Sequence, residues 1–307
     1  MLKVFSGQSH PEFAKEVCHH LGIDPGKVSF TKFPNENIKV KIEENAREAD
    51  VFVIQTATPR DLHERLMELF IMIDALKYAS ARRITAVLPY YPYARSDKKD
   101  EPRISITARL IADILETAGA HRILTMNLHA PQIMGFARIP VDQLDAIPII
   151  CDYLKEKDLS NFVAVAPDVG RAKVTEAYAR RLRLKVTVLD KRREEGKVVV
   201  RHVIGDVEGK DVILFDDEIL TGDSILAGVE ALKERGAKRF MAAVVHGVLA
   251  DGTIEKVELS PLEELVITDT LPLRRGSPKI TVLSVTQLFA EAIKAIHTGG
   301  SVSALFR

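Results

Sequence analysis

Apolar runs of strand length alternate with longer stretches of helical spacing along most of this chain. That alternation restricts the fold more than any other feature. VFVIQTAT precedes ERLMELFIMIDALKYA, and ITAVLPYY precedes ISITARLIADILETAG. Further on, VAVAP leads to VTEAYARRL, VTVLD and VILFDD follow, and another helical pattern comes after them. Repeated strand–helix–strand units predict parallel sheets with helices on their faces. A run such as VILF, apolar at every position, suits a strand covered on both sides.

The chain has 307 residues, and at roughly 100–200 residues per domain two domains are expected. Two segments align without a gap, GAHRILTMNLH at 119–129 and GAKRFMAAVVH at 236–246. VFVIQTAT and FVAVAPDV correspond more loosely. Two similar α/β domains in tandem are one reading. The other is that αβ units look alike through shared physics. The boundary is expected near 140–150, in RIPVDQLDAIP.

Charge and cysteine content exclude several classes. Lys plus Arg and Asp plus Glu are equal, at 43 each, so no nucleic-acid footprint is expected and anions must be caught by local clusters. Cys18 and Cys151 are far apart and give neither a disulfide framework nor zinc spacing. MLKVFSGQSH carries too short an apolar run for a signal peptide, and LFIMIDAL is too short to span a bilayer. A soluble cytoplasmic protein without a membrane partner is expected. GxxxxGK[ST], GxGxxG and HExxH are all missing, which argues against a P-loop kinase, a common dinucleotide enzyme and a zincin.

The stretch VILFDDEILTGDS, residues 212–224, carries the clearest chemistry. An apolar strand ends in Asp216 and Asp217, and a Thr221-Gly222-Asp223-Ser224 turn leads into a helix. Ligands of open α/β sheets bind beyond the carboxyl ends of the strands. Such a turn offers N–H groups and hydroxyls to a phosphate. The two carboxylates would repel a phosphate and suit sugar hydroxyls or a cation. A sugar phosphate satisfies both halves; a merely capped helix, with Asp223 or Ser224 as cap, is the alternative.

Other candidates lie at further strand ends. YARSDKKDEPR gathers Arg95, Lys98, Lys99 and Arg103 in a polar insertion that suits a polyphosphate, or is a solvated loop. His129, in NLHAPQIMGF, is a metal ligand, a proton carrier or a core histidine, and Asp168 in APDVG shares its placement past a strand. DKRREEGK at 190–197 reads as a basic lid over a transferring phosphoryl group or as a charged hairpin continued by VVVRHVIGDVEG.

The ordered segments SGQSHPEFA, LMELFIMIDALK, LPYYPYARSDKK, LHAPQIMGF, PDVG, DKRR, VIGDVEGKDVILFDD and GGSVSALF span nearly the whole chain. Together they resemble the ribose-phosphate pyrophosphokinases, also called phosphoribosyl pyrophosphate synthetases. The resemblance implies an α/β fold of two tandem phosphoribosyltransferase-like domains, with parallel sheets flanked by helices. Residues 1–145 would form the ATP side and 146–307 the ribose 5-phosphate side. It implies transfer of the β,γ-diphosphoryl group of ATP to the C1 hydroxyl of ribose 5-phosphate, with AMP as the other product. Mg²⁺ is the implied cofactor, and a homo-oligomer, a hexamer built from dimers, the implied assembly.

By the same resemblance, Phe33, Asn35 and Asn37 lie in the adenine loop, and Arg95 and Ser96 on the ATP phosphates. His129 and Asp168 fall near Mg²⁺, and Lys191 and Arg193 in the catalytic loop. Asp216 and Asp217 take the ribose hydroxyls, and Thr221, Gly222, Asp223 and Ser224 the 5-phosphate. The chain departs from the commoner pattern at Asn37 (usually Glu), Ser96 (Gln), Asn127 (Asp), Arg138 (Asp) and Leu220 (Asp), and Gly222-Asp223 replace two small residues. These departures bear on nucleotide specificity and allosteric control. Two rival expectations remain: a phosphoribosyltransferase, which shares the 212–224 motif, and a non-catalytic regulatory subunit of the synthetase.

Overall fold

The computed structural model describes residues 1–194 and 197–306; the side chains of 192–198 fall outside that description. Compact packing divides the chain into two units. The first is Met1–Asp145 with Thr270–Pro272 and Val285–Arg307, and the second is Ala146–Asp269 with Leu273–Ser284. The expectation that 146–307 would form one domain is therefore corrected at its end.

In the first unit β1 (Leu2–Ser6) is followed by α1 (Pro11–Leu21) and by β2 (Val28–Lys32) and β3 (Ile38–Ile42), an antiparallel pair standing as its own sheet. Then come β4 (Asp50–Ile54), α2 (Leu62–Tyr78), β5 (Arg83–Leu88), α3 (Thr107–Ala118), β6 (Arg122–Met126) and β7 (Val141–Leu144). The main sheet is parallel, in the order β1-β4-β5-β6-β7. Every residue of β4 is buried, as two covered faces require.

The second unit runs α4 (Ile147–Lys155), β8 (Phe162–Ala166), α5 (Ala172–Leu182), β9 (Lys185–Glu194), β10 (Lys197–Ile204), β11 (Asp211–Ile219), α6 (Asp223–Glu234), β12 (Phe240–Gly247), α7 (Thr253–Leu259), β13 (Glu264–Thr268) and β14 (Ile280–Leu283). Its seven-stranded sheet has the order β10-β9-β8-β11-β12-β13-β14, parallel except that β10 runs against β9.

The two main sheets correspond over five strands, while β2–β3 stand apart and their counterparts β9–β10 extend the second sheet. A strand, a helix and a hairpin lead in, and β1-β4-β5-β6-β7 repeats as β8-β11-β12-β13-β14. This also corrects the internal alignment read from sequence. The counterpart of β12 is β5 rather than β6, and the counterpart of β8 is β1 rather than β4. In the proper register Ala75-Leu76-Lys77 falls on Ala231-Leu232-Lys233, and Arg83 on Arg239. The false match arose because β6 also follows a Gly-Ala turn at a helix end, a local feature shared by many αβ units. The loop after β5, 89–106, is much longer than its counterpart after β12, 248–252.

The last helix, α8 (Thr286–Thr298), returns to the first unit. Phe289 meets Phe13 of α1 edge to face, with ring centroids 5.4 Å apart. Fully buried Asp50, at the start of β4, accepts from Arg83 Nε at 2.7 Å and lies 2.7 Å from His297 Nδ1. Arg83 also donates to the Ile296 carbonyl at 2.9 Å. Among the described residues no helix is long and apolar enough to cross a membrane.

Candidate active site

Parallel strands point their carboxyl ends the same way, so β8, β9 and β11 of the second unit deliver side chains to one edge of the sheet. Asp168 follows β8 and caps a short 3-10 helix, its Oδ1 accepting from Arg171 N at 3.0 Å. Asp216 and Asp217 lie toward the carboxyl end of β11. Arg171 reaches across: its Nη2 is 2.6 Å from Asp217 Oδ2 and its Nε 3.7 Å from Asp216 Oδ1. Burial and the neighbouring Asp217 push Asp216 well above the usual carboxylate range, with Arg171 pulling the other way.

Lys191 lies in β9, opposite Val200 of β10. β9 and β10 pair antiparallel, in keeping with the charged-hairpin alternative of the sequence reading, because VVVR suits such pairing. The hairpin nevertheless turns Lys191 to the site. Its ammonium donates to the Ser224 carbonyl at 2.6 Å and to Ser224 Oγ at 3.0 Å. Burial pushes it down to about 8, against the pull of Asp216 and Asp168. The Arg193 side chain lies outside the described residues.

The 221–224 turn closes this edge. Gly222 is the residue before α6, at φ 78°, and no side chain caps the helix. A capping role for Asp223 or Ser224 is thus corrected: both belong to the first helical turn. Free N–H groups at such an end suit an anion. Leu249 N and Ala250 N donate to the carbonyls of Ile219 (3.0 Å) and Leu220 (2.8 Å), which fixes the turn against the loop before α7.

In the first unit, Phe33, Asn35 and Asn37 form the exposed tip of the β2–β3 hairpin. Phe33 N donates to the Asn37 carbonyl at 2.9 Å and Asn37 N to Asn35 Oδ1 at 3.3 Å. Phe33 is 44% exposed, which leaves its ring open to stacking. Arg95 is exposed in the long loop after β5. Ser96 is tied into the start of α3, its hydroxyl accepting from Thr107 N at 3.2 Å. Buried Asp97 accepts from Gln132 at 2.9 Å, linking this loop to the one that carries half-buried His129. Asn127 donates its amide to Asp145 at 3.0 Å. An Asp at 127 would face that carboxylate instead, a physical reason for this departure.

Sequence reasoning missed Arg171, Asp97 and Lys256, the last 2.7 Å from Asp223. Arg171 was open to notice, because it closely follows Asp168; the partners of Asp97 and Lys256 are distant in sequence and left no local signal.

Donor chemistry allows a test for Mg²⁺. Among the described residues no group of three or more His, Cys, Asp or Glu forms a cage. Mg²⁺ prefers one or two carboxylates completed by substrate phosphates and water, and the hard oxygens of this edge fit that mode.

Residues 2–119 match the model for the N-terminal domain of ribose phosphate pyrophosphokinase, and 197–307 the phosphoribosyl synthetase-associated domain. A ribose-phosphate pyrophosphokinase of Wolinella succinogenes is 45% identical over 99% of this chain and 98% of its own. One of Caldanaerobacter subterraneus subsp. tengcongensis is 47% identical, over 99% and 98%. The crystal structure of phosphoribosylpyrophosphate synthetase from Mycobacterium smegmatis superposes with a TM-score of 0.92 at 41% identity, covering 97% of this chain and 99% of that one. With parallel sheets, strand-end carboxylates and similarity along its whole length, this chain belongs to the ribose-phosphate pyrophosphokinase family.

Proposed function

We propose that this protein transfers the β,γ-diphosphoryl group of ATP to the C1 hydroxyl of ribose 5-phosphate, giving 5-phosphoribosyl 1-diphosphate and AMP. Family membership supports the reaction. The observation that carries the sugar site is the Asp216–Asp217 pair beside the uncapped start of α6.

In this reading the 5-phosphate lies on the N–H groups and hydroxyls of Thr221, Gly222, Asp223 and Ser224. Asp216 and Asp217 accept hydrogen bonds from the ribose hydroxyls. Arg171 already holds Asp217 (2.6 Å), so the pair is oriented before the sugar arrives. The C1 oxygen attacks the β-phosphorus in line, and the bond to the α-phosphate oxygen breaks. Lys191 and Arg193 neutralise charge on the group in transit, so positioning and electrostatics supply most of the acceleration. Phe33, Asn35 and Asn37 take the adenine, and Arg95 and Ser96 the phosphate end. His129 and Asp168 are each proposed to hold Mg²⁺, which supplies charge neutralisation on the phosphates when bound. A cytoplasmic hexamer built from dimers belongs to the same proposal.

The test is incubation with ATP, Mg²⁺ and ribose 5-phosphate, followed by phosphorus NMR. AMP and a sugar 1-diphosphate should appear in equal amounts. ADP as product, or no turnover by folded protein, would sink the reading.

A further inference from the structure

A carboxylate stands inside the turn that takes the sugar phosphate in the proposed function. Asp223 is kept ionised there: Lys256, then Thr221, hydrogen-bond its carboxyl and hold it below the usual range. Thr221 Oγ1 donates to Asp223 Oδ2 at 2.8 Å, so the acid also occupies a hydroxyl that a phosphate would use. A negative charge so close opposes a phosphate dianion. By itself the turn is poorly suited to its ligand.

Lys256 supplies the missing charge, and the fold brings it there by design of the neighbouring loop. Leu249 and Ala250 hold the carbonyls of Ile219 and Leu220, and Thr253 Oγ1 adds a bond to the Leu220 carbonyl at 2.8 Å. This places the start of α7 against the turn. The Lys256 ammonium then lies 2.7 Å from Asp223 Oδ1 and 3.4 Å from the Thr221 carbonyl. It touches both residues and leaves the turn without net side-chain charge.

We propose that Lys256 is a positioning residue for the 5-phosphate of the substrate, cancelling Asp223 so that an acid-bearing turn accepts a phosphate monoester. The proposal rests on the assignment of the 221–224 turn to that phosphate. Lys256 acts on binding in the ground state and the transition state alike, so its effect belongs in KM and not in kcat.

Steady-state kinetics with a double-mutant cycle tests this. Lys256→Ala should raise the KM for ribose 5-phosphate about tenfold, with kcat and the KM for ATP within about twofold of wild type. Lys256→Arg should keep the wild-type KM. Asp223→Asn added to Lys256→Ala should bring the KM down again from the Lys256→Ala value by about fivefold, because the charge to be cancelled is gone. An ion pair this exposed, if merely structural, moves none of these values. An unchanged KM in Lys256→Ala, or no recovery in the double variant, overturns the proposal. Thr221→Ala and Gly222→Ala separate it from the underlying assignment. If they raise the KM while Lys256→Ala does not, only the proposal falls; if none of the three does, the phosphate site falls with it.

Discussion

Replacing Lys191 with Met removes a charge and keeps most of the volume, and the structure sets two opposing effects on stability. The ammonium is held at about 8 against 10.5 for a free lysine, equivalent to roughly 3 kcal/mol of charge-burial cost that the substitution relieves. Against this, the two bonds to Ser224 are lost, at about 1.5–3 kcal/mol each for hydrogen bonds from a charged donor, or about 3–6 kcal/mol together. The net is a loss of at most about 3 kcal/mol, so the melting temperature should stay level or fall by up to about 10 °C. Turnover should not be spared. If Lys191 meets the diphosphoryl group chiefly as it transfers, kcat should fall about a hundredfold or more, the scale of one strong transition-state donor, with KM nearly unchanged. Initial rates of AMP formation, calorimetric ATP binding and thermal melts measure the three quantities. The pH dependence adds a signature. Between pH 8 and 10.5 the unfolded chain holds the Lys191 proton and the folded one releases it. Stability from this group therefore rises with pH across that window, and the rise should be missing in Lys191→Met. In the same window kcat/KM should decline as the free enzyme loses the ammonium. A Lys191→Met enzyme with kcat within about twofold of wild type would refute the argument.

Other substitutions probe the rest of the molecule. Asp216→Asn with Asp217→Asn should leave the fold intact and raise the KM for ribose 5-phosphate, since amides accept from sugar hydroxyls less well than carboxylates; unchanged sugar kinetics would remove the pair from the site. His129→Ala should demand more Mg²⁺ for half-maximal rate; an unaltered Mg²⁺ dependence with a stability loss of about 2 kcal/mol or more would make it a core histidine. Asp50→Ala should cost about 3 kcal/mol by leaving Arg83 and His297 without their buried partner, read in urea melts. Arg83 and His297 hold the Asp50 carboxyl below its ordinary 3.8 despite burial. That contribution is present above pH 4 and lost as the pH falls further, so the acid limb of wild-type stability should be steeper than that of Asp50→Asn.

The βαβ alternation, the parallel sheets, the strand-end carboxylates and the 221–224 turn were all legible in the sequence. Each is written in neighbouring residues: apolar runs for buried strands, a helical period, a Thr-Gly turn. Several features followed from tertiary structure alone. The internal repeat was visible, but its register was misread until the strand orders were compared, because Gly-Ala followed by a strand recurs wherever a helix ends. The return of α8 to the first unit depends on Phe289 finding Phe13 and on His297 finding Asp50, partners at opposite ends of the chain. Lys256 meets Asp223, and Lys191 meets Ser224, each across 33 residues. Arg171 and Asp217 come together because β8 and β11 are neighbours in the sheet. Such contacts are set by which strands pair and in what register. No local pattern carries that, since any cation near the right strand end would have looked the same in sequence.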